Sequence, residues 1–139
     1  MTAASNDPNQ SQDLRVLVVD DHPMVRTALA ELFEDEDGLT VVGECADGSE
    51  VGGATARLRP DVICMDMSMP TMNGVAATEA LRAARSDVRV VLFTGSPEHR
   101  HAVAAAGADA LVPKSTRADA LLHCLRAVAD GATDCPYCL

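Results

Sequence analysis

The stretch Asp61-Val62-Ile63-Cys64-Met65-Asp66 decides the fold, because four apolar residues in succession end in a carboxylate. A short apolar run without polar alternation is typical of a strand that is buried on both faces of a parallel sheet. An Asp fits poorly inside such a strand, but it fits the carboxyl end, where open α/β sheets bind ligands. Taken alone, Asp66 is equally well explained as a cap or as the start of a turn.

A second apolar run of the chain ends in the same way. Leu14–Val19 leads directly into Asp20 and Asp21. If this strand lies beside the strand that precedes Asp66, three carboxylates meet at one edge of the sheet. The two runs together therefore predict a divalent-cation site around a candidate nucleophile.

Hydrophobic periodicity along the chain predicts five strands that alternate with five helices. The other strands are expected at residues 39–46, 88–93 and 110–112, and the helices at residues 23–33, 49–58, 75–85, 97–106 and 118–129. Right-handed crossovers then place helices on both faces of one parallel sheet. The fold class is α/β, a flavodoxin-like (βα)5 doubly wound sheet with strand order 2-1-3-4-5, which makes the first and third strands neighbours.

Length and composition favour one acidic domain in the cytoplasm. The 139 residues include 47% hydrophobic residues and carry a net charge of −10, so the chain's own surface is a poor partner for nucleic acid. The five cysteines fit reduced thiols, and no continuous apolar run is long enough to cross a membrane. We expect a disordered tail at residues 1–13, the domain at residues 14–130, and a tail or the start of a missing linker at residues 131–139.

Thr94 and Lys114 are also predicted to lie at the carboxyl ends of strands, as Asp20, Asp21 and Asp66 are. Each placement has an ordinary explanation, but all five on one side of a single sheet favour a phosphoryl-transfer site. Carboxylate oxygens suit Mg²⁺, and an Asp carboxylate is a nucleophile that forms an aspartyl phosphate. The Thr94 hydroxyl and the Lys114 ammonium are then expected to contact phosphoryl oxygens.

The sequence from Leu14 to about Asp130 resembles a response-regulator receiver domain of two-component signalling. The segments Val18-Val19-Asp20-Asp21-His22-Pro23-Met24-Val25-Arg26 and Gly43-Glu44-Cys45-Ala46-Asp47-Gly48 are similar to those of the NarL/FixJ subfamily. The resemblance implies that Asp66 is the phosphoacceptor, supplied by a phosphohistidine of a sensor histidine kinase, with Thr94 as the switch hydroxyl. It also implies that Lys114 pairs with the phosphate.

The same resemblance implies the metal ligands and the output. Mg²⁺ would be held by Asp21, Asp66 and the backbone carbonyl of Ser68, while Asp20 acts mainly through water. The chain would not be an enzyme that turns over a substrate. It would catalyse only its own phosphorylation and dephosphorylation at Asp66. The subfamily usually joins the receiver to a LuxR-type helix-turn-helix that regulates transcription and contacts DNA, and we expect phosphorylation to change homodimerisation through the fourth helix, fifth strand and last helix.

Two positions depart from the family pattern. Receivers usually carry Tyr or Phe three residues before the lysine, where this chain has Leu111, which puts an aromatic readout of phosphorylation in question. The lysine is followed by Ser115 rather than by the frequent Pro, so the sequence gives no ground for assuming a cis peptide after Lys114. The chain also stops where the subfamily would begin its linker, which is consistent with a receiver-only regulator or, as we favour, a fragment of a longer transcription factor.

Other readings of the sequence are weaker. Cys135-Pro136-Tyr137-Cys138 matches a redox dithiol motif but follows the last helix instead of opening one, so a flexible tail is expected. A zinc site would draw on His123, Cys124, Cys135 and Cys138.

Two further alternatives concern Asp66 itself. A haloacid-dehalogenase-type phosphatase would require a second acid, which Asp66-Met67-Ser68 lacks. A pseudo-receiver that binds partners without phosphorylation remains the main alternative, and the remaining histidines, His22, His99 and His101, are expected on loops or helix surfaces.

Overall fold

The structure is a computed structural model that describes residues 13–132 and 135–139. Five parallel strands form one sheet with the order β2-β1-β3-β4-β5, as predicted. The strands are β1 (Leu14–Val19), β2 (Leu39–Cys45), β3 (Val62–Asp66), β4 (Arg89–Thr94) and β5 (Ala110–Pro113). The predicted doubly wound α/β fold is therefore confirmed.

Five α-helices connect and follow the strands. They are α1 (Pro23–Glu34), α2 (Val51–Leu58), α3 (Gly74–Ala83), α4 (Arg100–Ala106) and α5 (Ala118–Ala129). The predicted helices at 49–58 and 97–106 each begin with a short 3₁₀ turn, at Gly48–Glu50 and Pro97–His99. Local sequence explains the boundaries: Pro23 opens α1, the Asn73 side chain accepts a hydrogen bond from the Ala76 amide at the start of α3, and Gly107 ends α4 in the left-handed conformation.

The core lies on both faces of the sheet. On one face, Val16, Val18 and Cys64 pack with Phe33 of α1 and Leu125 of α5. On the other face, the alternate strand residues pack against α2, α3 and α4, represented by Val51, Ala77 and Val103. This double burial explains why β1 and β3 are apolar without alternation, since successive side chains point to opposite, equally buried faces.

The strand register brings the acidic residues together. β1 pairs with β3 so that Val19 lies opposite Met65. The next residue of each strand is therefore Asp20 on one side and Asp66 on the other. Because β2 and β5 form the edges, this junction lies near the middle of the sheet, where the chain order reverses and ligands bind in such folds.

The C-terminal segment, defined here as residues 135–139, packs against the edge of β5. Cys138 forms an antiparallel bridge with Ala110, the Leu111 amide donates to the Tyr137 carbonyl at 3.0 Å, and the Leu139 amide donates to the Asp109 carbonyl at 3.0 Å. This placement differs from the expected flexible tail. The reason is that an edge strand presents unpaired amide and carbonyl groups, which a following segment can satisfy.

Three further predictions concern the ends of the chain and its backbone. Residues 1–12 lie outside the described residues, so the predicted disordered tail at residues 1–13 stays a prediction. None of the peptide bonds in the described ranges is cis. Over the same ranges, no helix has both the length and the apolar character that a membrane span requires.

Candidate functional site

Asp66 is almost completely buried at the end of β3, with 1% of its surface exposed. Its Oδ1 accepts a hydrogen bond from the Ser68 amide at 3.2 Å and lies 3.0 Å from the Lys114 Nζ. Its Oδ2 is buried and has no hydrogen-bond partner. Buried carboxylate oxygens are normally paired, so this atom marks a position that is kept ready for a ligand.

Asp20 and Asp21 face Asp66 from the end of β1. Asp20 is 1% exposed, and its Oδ1 accepts a hydrogen bond from the His22 amide at 2.8 Å. Asp21 is more open, yet its Oδ1 is also buried without a hydrogen-bond partner. Two of the three unpartnered buried side-chain atoms of the described residues therefore belong to this site.

The three carboxylates and His22 form one compact group. One ligand atom from each of Asp20, Asp21, His22 and Asp66 can be chosen so that all lie within 4.8 Å of one another. Within the described ranges, this is the group of three or more His, Cys, Asp or Glu side chains that has metal-binding geometry. Its hard oxygen atoms fit Mg²⁺, and the orphaned Asp66 Oδ2 supports a cation rather than internal pairing. The predicted carboxylates are thus brought together, while the role of the Ser68 carbonyl stays a prediction.

Lys114 is held over the site by β4. Its backbone amide donates to the Thr94 carbonyl at 2.8 Å, and its half-exposed side chain reaches down to Asp66. A compact ammonium group in this position offsets part of the negative charge of the three carboxylates. The predicted pairing partner of an anionic group is therefore already beside the candidate nucleophile.

The Thr94 hydroxyl is hydrogen-bonded within its own loop. Thr94 is 4% exposed, and its Oγ1 donates to the Ser96 carbonyl at 3.1 Å while accepting from the Ser96 amide at 2.9 Å. The hydroxyl is therefore engaged by its own loop in this state. Contact with a phosphoryl group on Asp66 stays a prediction.

Sequence reasoning missed Asp47, which fixes the loop after Asp66. Its Oδ1 accepts from the Thr71 amide at 3.0 Å, and its Oδ2 accepts from the Ser49 and Met72 amides at 2.9 and 3.2 Å. These hydrogen bonds, first those from Ser49, lower the pKa of Asp47. The Asp-Gly-Ser order of residues 47–49 is the signal that could have indicated this turn.

Leu111 lies on β5, at the position where the family usually has an aromatic residue. It is 3% exposed and belongs to the apolar cluster that includes Met65, Leu92 and Val103. An aliphatic side chain is thus already packed inward in this state. The structure gives Leu111 a core position rather than a place among the polar groups of the site.

The cysteines do not form the predicted alternative sites. His123 is exposed on α5, whereas Cys124 and Cys135 are buried, and none of them joins a metal-ligand group within the described residues. Burial and the neighbouring Cys135 thiol raise the pKa of Cys124. The candidate dithiol, Cys135 and Cys138, follows α5 instead of opening a helix, so it lacks the helix N-terminus that stabilises a reactive thiolate.

Comparison with known proteins agrees with the geometry. The response regulator receiver domain family matches residues 16–126. The chain belongs to this family. The receiver is 36% identical over 120 residues to the transcriptional regulatory protein LiaR of Bacillus subtilis (strain 168), covering 85% of this chain and 57% of LiaR. It is 36% identical over 118 residues to the nitrate/nitrite response regulator protein NarL of Escherichia coli (strain K12), covering 84% of this chain and 55% of NarL.

Solved structures show the same fold. A LuxR-family two-component response regulator from Aurantimonas sp. SI85-9A1 superposes with a TM-score of 0.82 at 31% identity, over 86% of this receiver and 87% of that chain. The signal receiver domain of the response regulator NarL from Mycobacterium tuberculosis gives a TM-score of 0.75 at 28% identity. The superposition covers 83% of this chain and 98% of that chain. The receiver is thus of the NarL/LuxR type, and it spans about half the length of the curated relatives that it matches.

Proposed function

We propose that Asp66 is the phosphoacceptor of this receiver and that a phosphohistidine of a sensor histidine kinase supplies the phosphoryl group. The observation that carries the proposal is that the two oxygens of the Asp66 carboxylate have different surroundings. Oδ1 is held by Lys114 and the Ser68 amide, whereas the buried Oδ2 has no partner. A carboxylate that is held in one orientation and keeps one unpartnered oxygen is suited to in-line attack on phosphorus.

The transfer itself exchanges one bond for another. An Asp66 oxygen forms a bond to phosphorus while the bond between phosphorus and the donor's imidazole nitrogen breaks, and the electron pair leaves with that nitrogen. Lys114 moves from the carboxylate to a phosphoryl oxygen, and the Thr94 hydroxyl turns from Ser96 to another. Catalysis is then mainly positioning and electrostatic stabilisation.

We further propose that Mg²⁺ is the cofactor, held by Asp21, Asp66 and the Ser68 carbonyl, with Asp20 acting through water. A bound Mg²⁺ supplies positive charge that lets an anionic donor approach three carboxylates. The cluster within 4.8 Å and its unpartnered oxygens support this assignment. Removal of the phosphoryl group by water would use the same residues, so the receiver would act as a self-catalysed switch rather than as a turnover enzyme.

The output that we propose is transcriptional. The matched relatives are named as a transcriptional regulatory protein and a nitrate/nitrite response regulator. A LuxR-type helix-turn-helix outside this chain would contact DNA, and phosphorylation would change homodimerisation in the cytoplasm. The net charge of −10 supports a division in which DNA binding belongs to another part of the protein.

The test is intact mass spectrometry after incubation with acetyl phosphate and Mg²⁺. We expect one phosphoryl adduct in the wild type, none in Asp66→Asn, and none when a chelator is added. Asp119→Asn is the matched control, because Asp119 is an exposed acid on α5 and should keep the adduct. A folded wild type that gains no adduct would contradict the proposal and favour the phosphorylation-independent pseudo-receiver.

A further inference from the structure

His22 is the one side chain without a carboxylate in the group that it forms with Asp20, Asp21 and Asp66. Its Nδ1 lies 3.1 Å from Asp20 Oδ1 and 3.1 Å from Asp21 Oδ1. The Asp21 contact does not have the geometry of a hydrogen bond, since Asp21 Oδ1 has no hydrogen-bond partner. The ring is therefore placed by the backbone beside two carboxylates, and hydrogen bonding explains only one of the two contacts.

The separation between His22 Nδ1 and Asp21 Oδ1 is that of two ligands around one ion. Divalent ions of this size bind oxygen and nitrogen at about 2.1 Å, so neighbouring ligands of an octahedral complex lie about 3.0 Å apart and opposite ligands about 4.2 Å apart. The 3.1 Å distance from His22 Nδ1 to Asp21 Oδ1, the proposed direct ligand, matches neighbouring positions, and the limit of 4.8 Å accommodates the opposite ones. The unpartnered Oδ2 of the almost completely buried Asp66 independently indicates that something outside the protein completes the group.

We propose that His22 Nδ1 is a ligand of the cation site and that it makes this site favour divalent transition ions over Mg²⁺. The chemical reason is that Mg²⁺ takes oxygen ligands and binds imidazole poorly, whereas affinity for a nitrogen-containing site rises along the transition series. The inference rests on the proposed function only because it takes the carboxylate cluster as the cation site. It changes which ion the site selects.

The position of His22 makes it a clean target for substitution. It precedes α1, and its side chain makes no capping hydrogen bond to that helix. The contact that fixes the loop is the backbone one, from the His22 amide to Asp20, and it survives any change of side chain except Pro. The ring is also largely exposed, at 63% of the side-chain surface, so His22→Ala should leave no cavity.

The test uses Mn²⁺ as the probe, because it is paramagnetic and has little affinity for thiols. Pulsed electron paramagnetic resonance on the Mn²⁺-loaded protein should show coupling to a directly bound nitrogen. We expect that coupling to disappear in His22→Ala and to persist in His101→Ala, the control on an exposed histidine of α4. Titrations should show Mn²⁺ affinity falling about tenfold in His22→Ala while Mg²⁺ affinity, measured by displacement, changes less than about twofold.

The outcomes separate this inference from the proposed function. Bound Mn²⁺ without nitrogen coupling in the wild type, or coupling that survives in His22→Ala, overturns the role of His22. An equal loss of affinity for both ions overturns the selectivity. A phosphoryl adduct on the wild type with Mg²⁺ would still stand in each of these cases, whereas its absence would count against the proposed function whatever Mn²⁺ shows.

Discussion

The carboxyl end of the sheet and the outer edge of β5 differ in whether their polar groups have hydrogen-bond partners. At the carboxyl end, Asp21 Oδ1 and Asp66 Oδ2 are buried without hydrogen-bond partners. At the β5 edge, the Leu111 amide and the Asp109 carbonyl are both paired by the C-terminal segment. Unpaired buried oxygens cost stability and persist where a ligand completes them, whereas a paired edge closes a surface against other chains. The carboxyl end of the sheet is therefore suited to binding a ligand, whereas the β5 edge is protected from pairing with another chain.

The largest expected effect comes from crowding the base of the site. A Cβ on Gly74 would lie 2.7 Å from the Asp66 carbonyl oxygen and 2.9 Å from Leu92 Cδ2. Because one of these atoms is backbone, Gly74→Ala should lower the free energy of unfolding by about 3 kcal/mol. Chemical denaturation measures the change. A loss of this size would show that the backbone beneath Asp66 cannot shift to accommodate a methyl group.

Gly53→Ala is the control for this substitution. Gly53 lies in α2, and a Cβ there meets nothing within 4 Å. Relief of the helix-propensity cost should stabilise the protein by about 1 kcal/mol. The two substitutions should therefore have opposite signs, and a neutral Gly74→Ala would show that the backbone near Asp66 can yield.

The same contrast explains how far the sequence could predict the structure. Apolar runs such as Val16–Val19 and Val62–Met65 predicted the buried parallel strands, because burial on both faces leaves a clear pattern in one dimension, and the flavodoxin-like fold class supplied their order. The site could be predicted for a related reason. The residues that follow parallel strands share one edge of the sheet, and because β1 and β3 are neighbours Asp20, Asp21 and Asp66 converge there.

Loop and edge contacts could not be predicted in this way. The Thr94 hydroxyl turns to Ser96, and Asp47 holds the loop at Thr71 and Met72, through hydrogen bonds set by local backbone angles. The pairing of the C-terminal segment with Ala110 joins residues that lie on either side of α5 in the chain. Neither kind of contact has a periodic signature. The expectation of a flexible tail failed for that reason.

Cation binding should act directly on only one of the two regions, the carboxyl end of the sheet. At a Mg²⁺ concentration ten times the dissociation constant, linkage predicts about 1.4 kcal/mol of added stability. Asp21→Asn should lose this gain, and in metal-free buffer it should be at least as stable as the wild type, because it reduces repulsion among three carboxylates. Thermal unfolding with and without a chelator measures both quantities. Amide exchange at Leu111 should slow by no more than this global gain, about tenfold, and a larger response would mean that the two regions are coupled.

The smallest expected effect concerns the closure of the β5 edge. Leu139→Pro removes the amide that donates to the Asp109 carbonyl, whereas Leu139→Ala removes the same side chain and keeps that amide. The proline variant should be less stable than the alanine variant by about 1 kcal/mol, the net value of one hydrogen bond. Hydrogen exchange should also be faster at Leu111, whose amide depends on Tyr137. Equal exchange in both variants would mean that the segment is held by Cys135 in the core and not by its pairing with β5, since Cys135 is 5% exposed and packs with α5.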